Sequence, residues 1–195
     1  MTPERRARIN QVLNCRQPEL AIVLENVFDP HNIAAVLRTA DSVGVQDVYV
    51  LNTKIERHKK FGKKSSASAV NWLTIHAFDT VEACFTELRN KYQKIFATHL
   101  GIASKSLYEL NLTESVALVF GNEHSGVSED ALQWCDGNFI IPQVGMVKSL
   151  NISVACAVSL YEALRQREKQ GMYAQSRLSD FSRKQLSEKW NLSDE

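Results

Sequence analysis

Three stretches of the chain carry polar side chains where a strand would give way to a helix. In residues 26–38 (NVFDPHNIAAVLR), Asp29 and Pro30 open a helix as cap and first residue. Asn32 falls in its first turn, where free backbone N–H groups favour an anion. Arg38 lies six positions on, about 240° around a helix of 3.6 residues per turn, so the two residues have different roles. It stands in an otherwise apolar stretch, either as a functional cation or as the i, i+3 partner of Asp41. In residues 120–128 (FGNEHSGVS), Glu123 lies where a polar ligand would pass. Gly126 permits an unusual turn there, and Ser128 can cap a helix. The same residues also suit an ordinary strand-to-helix loop. In residues 140–161 (IIPQVGMVKSLNISVACAVSLY), the link 143–150 leads into a largely apolar helix capped by Ser149 or Asn151. Gly145, Met146 and Leu150 line a small apolar pocket or form a plain helix entry.

Other chemistries find no pattern. There is neither a G-x-G-x-x-G nor a G-x-x-x-x-G-K-[ST] segment. The adjacent His124 and Ser125 cannot make a nucleophile–base pair with an orienting third group. Cys15, Cys84, Cys135 and Cys156 form no C-x-x-C pair, and the His and Cys spacing suggests no metal site.

The elements that would position these residues alternate. An amphipathic helix covers 3–16, and AIVLENV at 21–27 reads as a buried strand. A helix from 30 stops at Gly44, and strands follow at 47–51 and 72–78. Residues 53–70 show no apolar period and read as a surface loop. A helix at 80–92, a strand at 94–100, a loop over 101–111 and a strand at 115–121 come next. A short helix at 128–134, a strand at 138–142, a long helix at 151–170 and a last helix at 180–191 complete the chain. This order predicts an α/β domain with a mostly parallel sheet, helices on both faces, and ligands beyond the strand carboxyl ends.

A chain of 195 residues suits a single domain, expected over 1–195. Its parts would be a basic N-terminal helix (1–19), a core (20–170) and a helical extension (171–195). The start, MTPERRARIN, has no apolar signal region, and no apolar run could span a bilayer, so a cytoplasmic, membrane-free protein is expected. The net charge of +1 conceals segregation: residues 1–16 carry +3, residues 54–64 carry +5 and residues 165–195 carry +2, leaving −9 elsewhere. The basic segments either converge into a polyanion-binding surface or remain separate solvated faces.

Asn32 and Arg38 with five residues between them, FGNEHSGVSE, and IIPQVGMVKSLNISVACA resemble, in that order, the three motifs of the SPOUT-class RNA 2′-O-methyltransferases. The pattern P-x-x-G-x-x-x-S-L-N-x-S-x-A is the most specific part. RQPEL at 16–20, PHNIAAVLRTADSVG at 30–44, ATHL at 97–100 and RQREKQGM at 165–172 are similar to the TrmH-like tRNA (guanosine-2′-O)-methyltransferases, which methylate guanosine 18 of the D-loop.

The resemblance implies a C-terminal trefoil knot, S-adenosylmethionine (AdoMet) as methyl donor, tRNA as substrate and an obligate homodimer. It implies a cofactor site of Thr98, His99, Leu100, Gly121, Ile141, Met146 and Leu150, and functional roles for Asn32, Arg38, Glu123, Ser149 and Asn151. AdoMet is already a strong methyl electrophile, so the protein must align a 2′-hydroxyl and help remove its proton, with no metal required. Arg effectively never deprotonates, so Arg38 either stabilises the developing alkoxide or orients a phosphate that takes part in proton removal. Asn32 and Ser149 would hold ribose or phosphate, and Glu123 and Asn151 would organise the pocket and dimer seam. RNA contacts are expected from Arg5, Arg6, Arg8, Arg16, Lys59 and Lys60. The lysine-rich segment 54–64 departs from the family, and a long C-terminal extension found in some members has no counterpart here. The alternatives are a ribosomal-RNA 2′-O-methyltransferase and a non-catalytic RNA-binding protein of the same fold.

Overall fold

The computed structural model describes residues 1–56, 68–101 and 103–191. Lys59 and Lys60, and most of the basic segment 54–64, lie outside them.

Seven strands form one sheet: β1 (Gln17–Glu25), β2 (Val45–Leu51), β3 (Thr74–Phe78), β4 (Lys94–Thr98), β5 (Lys105–Ser106), β6 (Val116–Phe120) and β7 (Gly137–Ile140). Their order is β3-β2-β1-β6-β4-β7-β5, and every pairing is parallel. Among the described residues six α-helices accompany them: α1 (Pro3–Cys15), α2 (Pro30–Ser42), α3 (Val81–Lys91), α4 (Glu129–Leu132), α5 (Ile152–Lys169) and α6 (Asp180–Lys189).

Alternation along the central strands divides the core. Leu20, Ile22 and Leu24 of β1 face Val36 and Leu37 of α2 and Cys156 and Leu160 of α5 on one side. Ala21 and Val23 face Phe85 and Leu88 of α3 and Ala131 of α4 on the other. Both faces of β1 and β6 are therefore dry, which explains why their sequences read as continuous apolar runs. At the periphery α1 and α6 meet through Ile9, Leu13, Leu186 and Trp190.

Two elements depart most from the sequence expectation. β1 begins at Gln17 rather than 21, because the Gln17 N–H donates to Gly44 O at 2.8 Å; the register then shifts before Ala21, around Pro18, which has no N–H to offer the ladder. β5, two polar residues long, falls inside the expected loop 101–111. Gly44 meets two requirements at once: its φ is +83°, and a Cβ there would lie 2.4 Å from Cys15 O.

The amino ends of the strands are closed by two buried guanidinium groups. Arg16, expected among the RNA contacts, is fully buried and cannot reach a solvent-borne phosphate. It donates to Val45 O at the start of β2, to Trp72 O before β3 and to Asp41 Oδ1 at 2.7 Å, and lies 5.3 Å from the Trp190 ring centroid. The Arg38–Asp41 pair does not form either: Asp41 is bound to Arg16, and Arg38 makes no ion pair among the described residues. Burial lowers the Arg16 pKa, and the Asp41 charge opposes the shift. Arg167 of α5, also fully buried, donates to Leu112 O (2.8 Å), Glu114 O (2.7 Å), Glu19 O (3.1 Å) and Gln17 Oε1 (3.2 Å). Burial pulls its pKa down to about 10, with Glu19 acting in the opposite direction.

Candidate active site

At the carboxyl ends the sheet is open. β4 lies between β6 and β7, so the loops that leave Thr98, Phe120 and Ile140 start side by side. The chain fills the sheet outward from β1 to β3 and then turns to β4 on the other side. Such a change of direction is where open parallel sheets hold ligands.

The loop after β6 is closed on itself. Asn122 and Gly126 exchange main-chain hydrogen bonds at 3.0 and 2.9 Å, and the Asn122 carboxamide accepts from the His124 and Ser125 N–H groups. Gly126 has φ +68°. A Cβ on Gly121 would lie 2.1 Å from the Gly126 and Val127 backbone, so only glycine allows the loop to double back. Ser128 caps α4 as expected.

This turn holds Glu123 against two distant segments. Asn32 Nδ2 donates to Glu123 Oε1 at 2.9 Å, and the Phe28 N–H donates to Glu123 Oε2 at 3.3 Å. Asn151 Nδ2 donates to Asn32 Oδ1 at 3.1 Å. Asn151 Oδ1 in turn caps α5, accepting from Ser153 N at 2.8 Å and Ser153 Oγ at 2.6 Å. One hydrogen-bonded chain, Glu123–Asn32–Asn151–Ser153, thus joins all three sequence stretches. Each amide has its oxygen and nitrogen engaged, so its orientation is determined by its neighbours.

Arg38 is outside this chain. It is exposed on α2 and makes no hydrogen bond or ion pair among the described residues. Ser149 is likewise exposed and free of such bonds.

The residues expected at a cofactor divide into held and open. Thr98 Oγ1 donates to Val119 O at 3.2 Å, and the His99 N–H donates to Phe139 O at 3.2 Å, tying β4 to both neighbours. Ile141 is half-buried against the α5 side of the core. Leu100 and Met146 stand 81% and 97% exposed, and residues 142–150 are exposed throughout. Among the described residues, 143–150 make one hydrogen bond, from Gln143 Nε2 to Lys148 O at 3.5 Å. The segment offers free amides and apolar side chains together.

The SpoU rRNA methylase family model matches residues 19–161. The chain belongs to the SpoU methylase family. The SpoU chain is 42% identical, over 91% of its length and 90% of the relative's, to a tRNA (guanosine(18)-2′-O)-methyltransferase of Thermus thermophilus. It superposes with a TM-score of 0.89 and 35% identity on the crystal structure of the Aquifex aeolicus TrmH/SpoU tRNA modifying enzyme, covering 97% of this chain and 95% of that one. An AdoMet-bound rRNA methyltransferase from Sinorhizobium meliloti matches with a TM-score of 0.67 and 26% identity, over 80% of this chain and 59% of that one.

Sequence reasoning gave no role to Glu25, Asn26 or Asn122 of this SpoU chain. Glu25 is 1% exposed and accepts from the Ser128 N–H and hydroxyl at 2.9 and 2.5 Å, fixing the far end of the 121–128 turn. Asn26, at φ 51°, accepts the Thr53 and Lys54 N–H groups on its side chain, and its carbonyl accepts Asn122 Nδ2 at 2.7 Å. The signal for Glu25 and Asn26 in the sequence is the run ENV, a carboxylate and an amide closing an otherwise apolar strand, and Asn122 stands inside the stretch FGNEHSGVS.

Proposed function

We propose that this protein is an AdoMet-dependent tRNA 2′-O-methyltransferase acting on guanosine 18. The observation that carries the reading is the Glu123–Asn32–Asn151 chain, which joins the three motif segments at the strand carboxyl ends. The relatives' named activity supports the choice of tRNA and nucleotide.

Residues 143–150, with unpaired amides, and the exposed Leu100, Met146 and Leu150 suit the adenosine and methionine parts of AdoMet, which need apolar slots and main-chain partners. Thr98, His99, Gly121 and Ile141 complete the assigned site. When bound, AdoMet supplies an electrophilic methyl group. The protein's own task is to aim the ribose hydroxyl. Asn32 and Ser149 hold ribose or phosphate, while Glu123 and Asn151 keep Asn32 oriented. Arg38, with no internal partner, is free to meet charge that develops on the 2′-oxygen or a nearby phosphate.

The same reading assigns 20–170 as the catalytic core, 1–19 as a basic N-terminal helix and 171–195 as a helical extension. The resemblance to the SPOUT class carries the assignment of a trefoil knot in the C-terminal half, where Gln166 and Arg167 of α5 hold residues 110–114. A homodimer is supported by Val154 and Tyr161, exposed seven residues apart on α5, and by the exposed Val144 and Val147 of the preceding loop. The exposed Arg5 and Arg8 and the half-buried Arg6 of α1 have no carboxylate partner among the described residues, which supports RNA contacts there. Among the described residues no helix is long and apolar enough to cross a membrane. We assign the protein to the cytoplasm with its tRNA substrate.

The test is incubation with a tRNA transcript and methyl-labelled AdoMet, followed by nucleoside mass spectrometry and mapping. The expected product is 2′-O-methylguanosine at position 18. Label on a base, or none on tRNA, would overturn the proposal.

A further inference from the structure

The ring of Phe28 is 69% exposed, yet the backbone beneath it is held on both sides. Two residues earlier, the Asn26 N–H donates to Leu51 O at 2.8 Å, and its side chain ties Thr53 and Lys54 to the same turn. The Phe28 N–H itself donates to Glu123, and the next residue, Asp29, caps α2 through the His31 N–H at 2.8 Å. A single exposed apolar residue by itself means little. This one differs in what shares its turn: the carboxylate of the Glu123–Asn32–Asn151 chain on one side and, through Asn26, the exposed Lys54 on the other.

An aromatic face with a cation nearby is how proteins hold unstacked nucleobases: the ring stacks on a base while the cation follows the phosphates. We infer that Phe28 is a stacking platform for an unpaired nucleobase of the RNA substrate, at or next to the nucleotide whose ribose meets Asn32. The inference rests on the RNA-methyltransferase reading above. Holding a base restricts its ribose, so Phe28 orients the 2′-hydroxyl without touching it and is a positioning residue.

The experiment compares Phe28→Ala, Phe28→Leu and Phe28→Trp with the wild type, using a tRNA transcript and labelled AdoMet. Phe28→Ala should raise the KM for tRNA by roughly 5- to 150-fold, the range set by loss of one base stack. AdoMet affinity, melting temperature and light-scattering mass should stay at wild-type values. Phe28→Leu keeps apolar bulk without a π-face and should fail as Phe28→Ala does, whereas Phe28→Trp should restore tRNA use. A wild-type KM in Phe28→Ala, rescue by Leu as good as by Trp, or a fall in particle mass with the lost activity would overturn the inference. Should the wild type transfer no methyl to tRNA, the assigned reaction fails separately. Stacking is then read from the indole introduced by Phe28→Trp, against the wild-type background of Trp72, Trp134 and Trp190. Quenching by a single-stranded oligoribonucleotide supports the platform, and its absence overturns it.

Discussion

The two ends of the sheet are built on opposite plans. At the amino ends, Arg16 and Arg167 commit buried guanidinium donors to carbonyls of β2, β1 and the segments that lead into β3 and β6. At the carboxyl ends, residues 142–150 lie exposed; Arg38, on the length of α2 that returns from those ends toward β2, carries a charge with no partner among the described residues. Arg16 and Arg167 stand among polar residues and are buried, whereas Arg38 stands in an apolar stretch and is exposed, so neither residue type nor sequence setting distinguishes a committed cation from a free one. What distinguishes them is whether the donors already have acceptors.

The sharpest way to break the comparison is at Arg167. Arg167→Met leaves its main-chain acceptors buried without a donor, and loss of a buried ionic hub typically costs about 3–5 kcal/mol. Denaturant titration should show that loss, while methyl transfer per folded molecule stays near wild type. A fully stable Arg167→Met protein would contradict the plan.

Arg38→Ala should do the reverse. Loss of one positioned charge costs on the order of 10²–10³ in rate, about 3–4 kcal/mol, with melting temperature and AdoMet affinity preserved. Arg38→Lys should recover only part of the rate, because an ammonium lacks the guanidinium fork. Unchanged single-turnover methylation in a folded Arg38→Ala protein would remove Arg38 from catalysis. Asp41→Ala sharpens the contrast: it should destabilise through Arg16 and leave single-turnover rates of the folded protein unaltered.

Replacing Arg5, Arg6 and Arg8 together by Ala should weaken tRNA binding and flatten its log–log salt dependence, by up to about 0.9 per lost duplex phosphate contact. An unchanged slope would make α1 purely structural.

The smallest effect concerns Asp47 on β2. Burial pushes its carboxyl up, but hydrogen bonds from His76 (2.8 Å) and Lys91 (2.7 Å) and the lysine charge outweigh burial and hold it below the usual carboxylate range. Its contribution is therefore complete above the ordinary carboxylate pKa and is lost as pH falls through the lower folded value. Asp47→Asn should flatten the acid limb of a stability–pH profile and leave the neutral region displaced by a constant amount.

The carboxyl-end chemistry is legible in the sequence, and the amino-end chemistry is nearly invisible there. Asn32 and Asn151 each stand at a helix start that a cap or proline announces, so their position beside strand ends follows from local pattern. Arg16 reads as one more cation of a basic helix, because its acceptors lie 25 to 56 residues away and no periodicity reports them. Arg167 reads as one of the solvent-facing charges of the last segment for the same reason. Glu25 is hidden by its setting, an apolar strand whose carboxyl-end carboxylate serves a loop 103 residues later. β5 is too short and too polar to carry a two-residue alternation.

The reach of Arg167 also dictates an order of events during synthesis. Two of its acceptors, Gln17 and Glu19, precede it by 150 and 148 residues. A ribosome extends a chain by about 5–20 residues each second, and contacts of such separation are slow to form. The earliest strand to emerge therefore waits for α5 before its entrance is sealed. A chain that stops short of residue 167 leaves the carbonyls of Glu19, Leu112 and Glu114 without their donor, so the entrance cannot be sealed before α5 has left the ribosome.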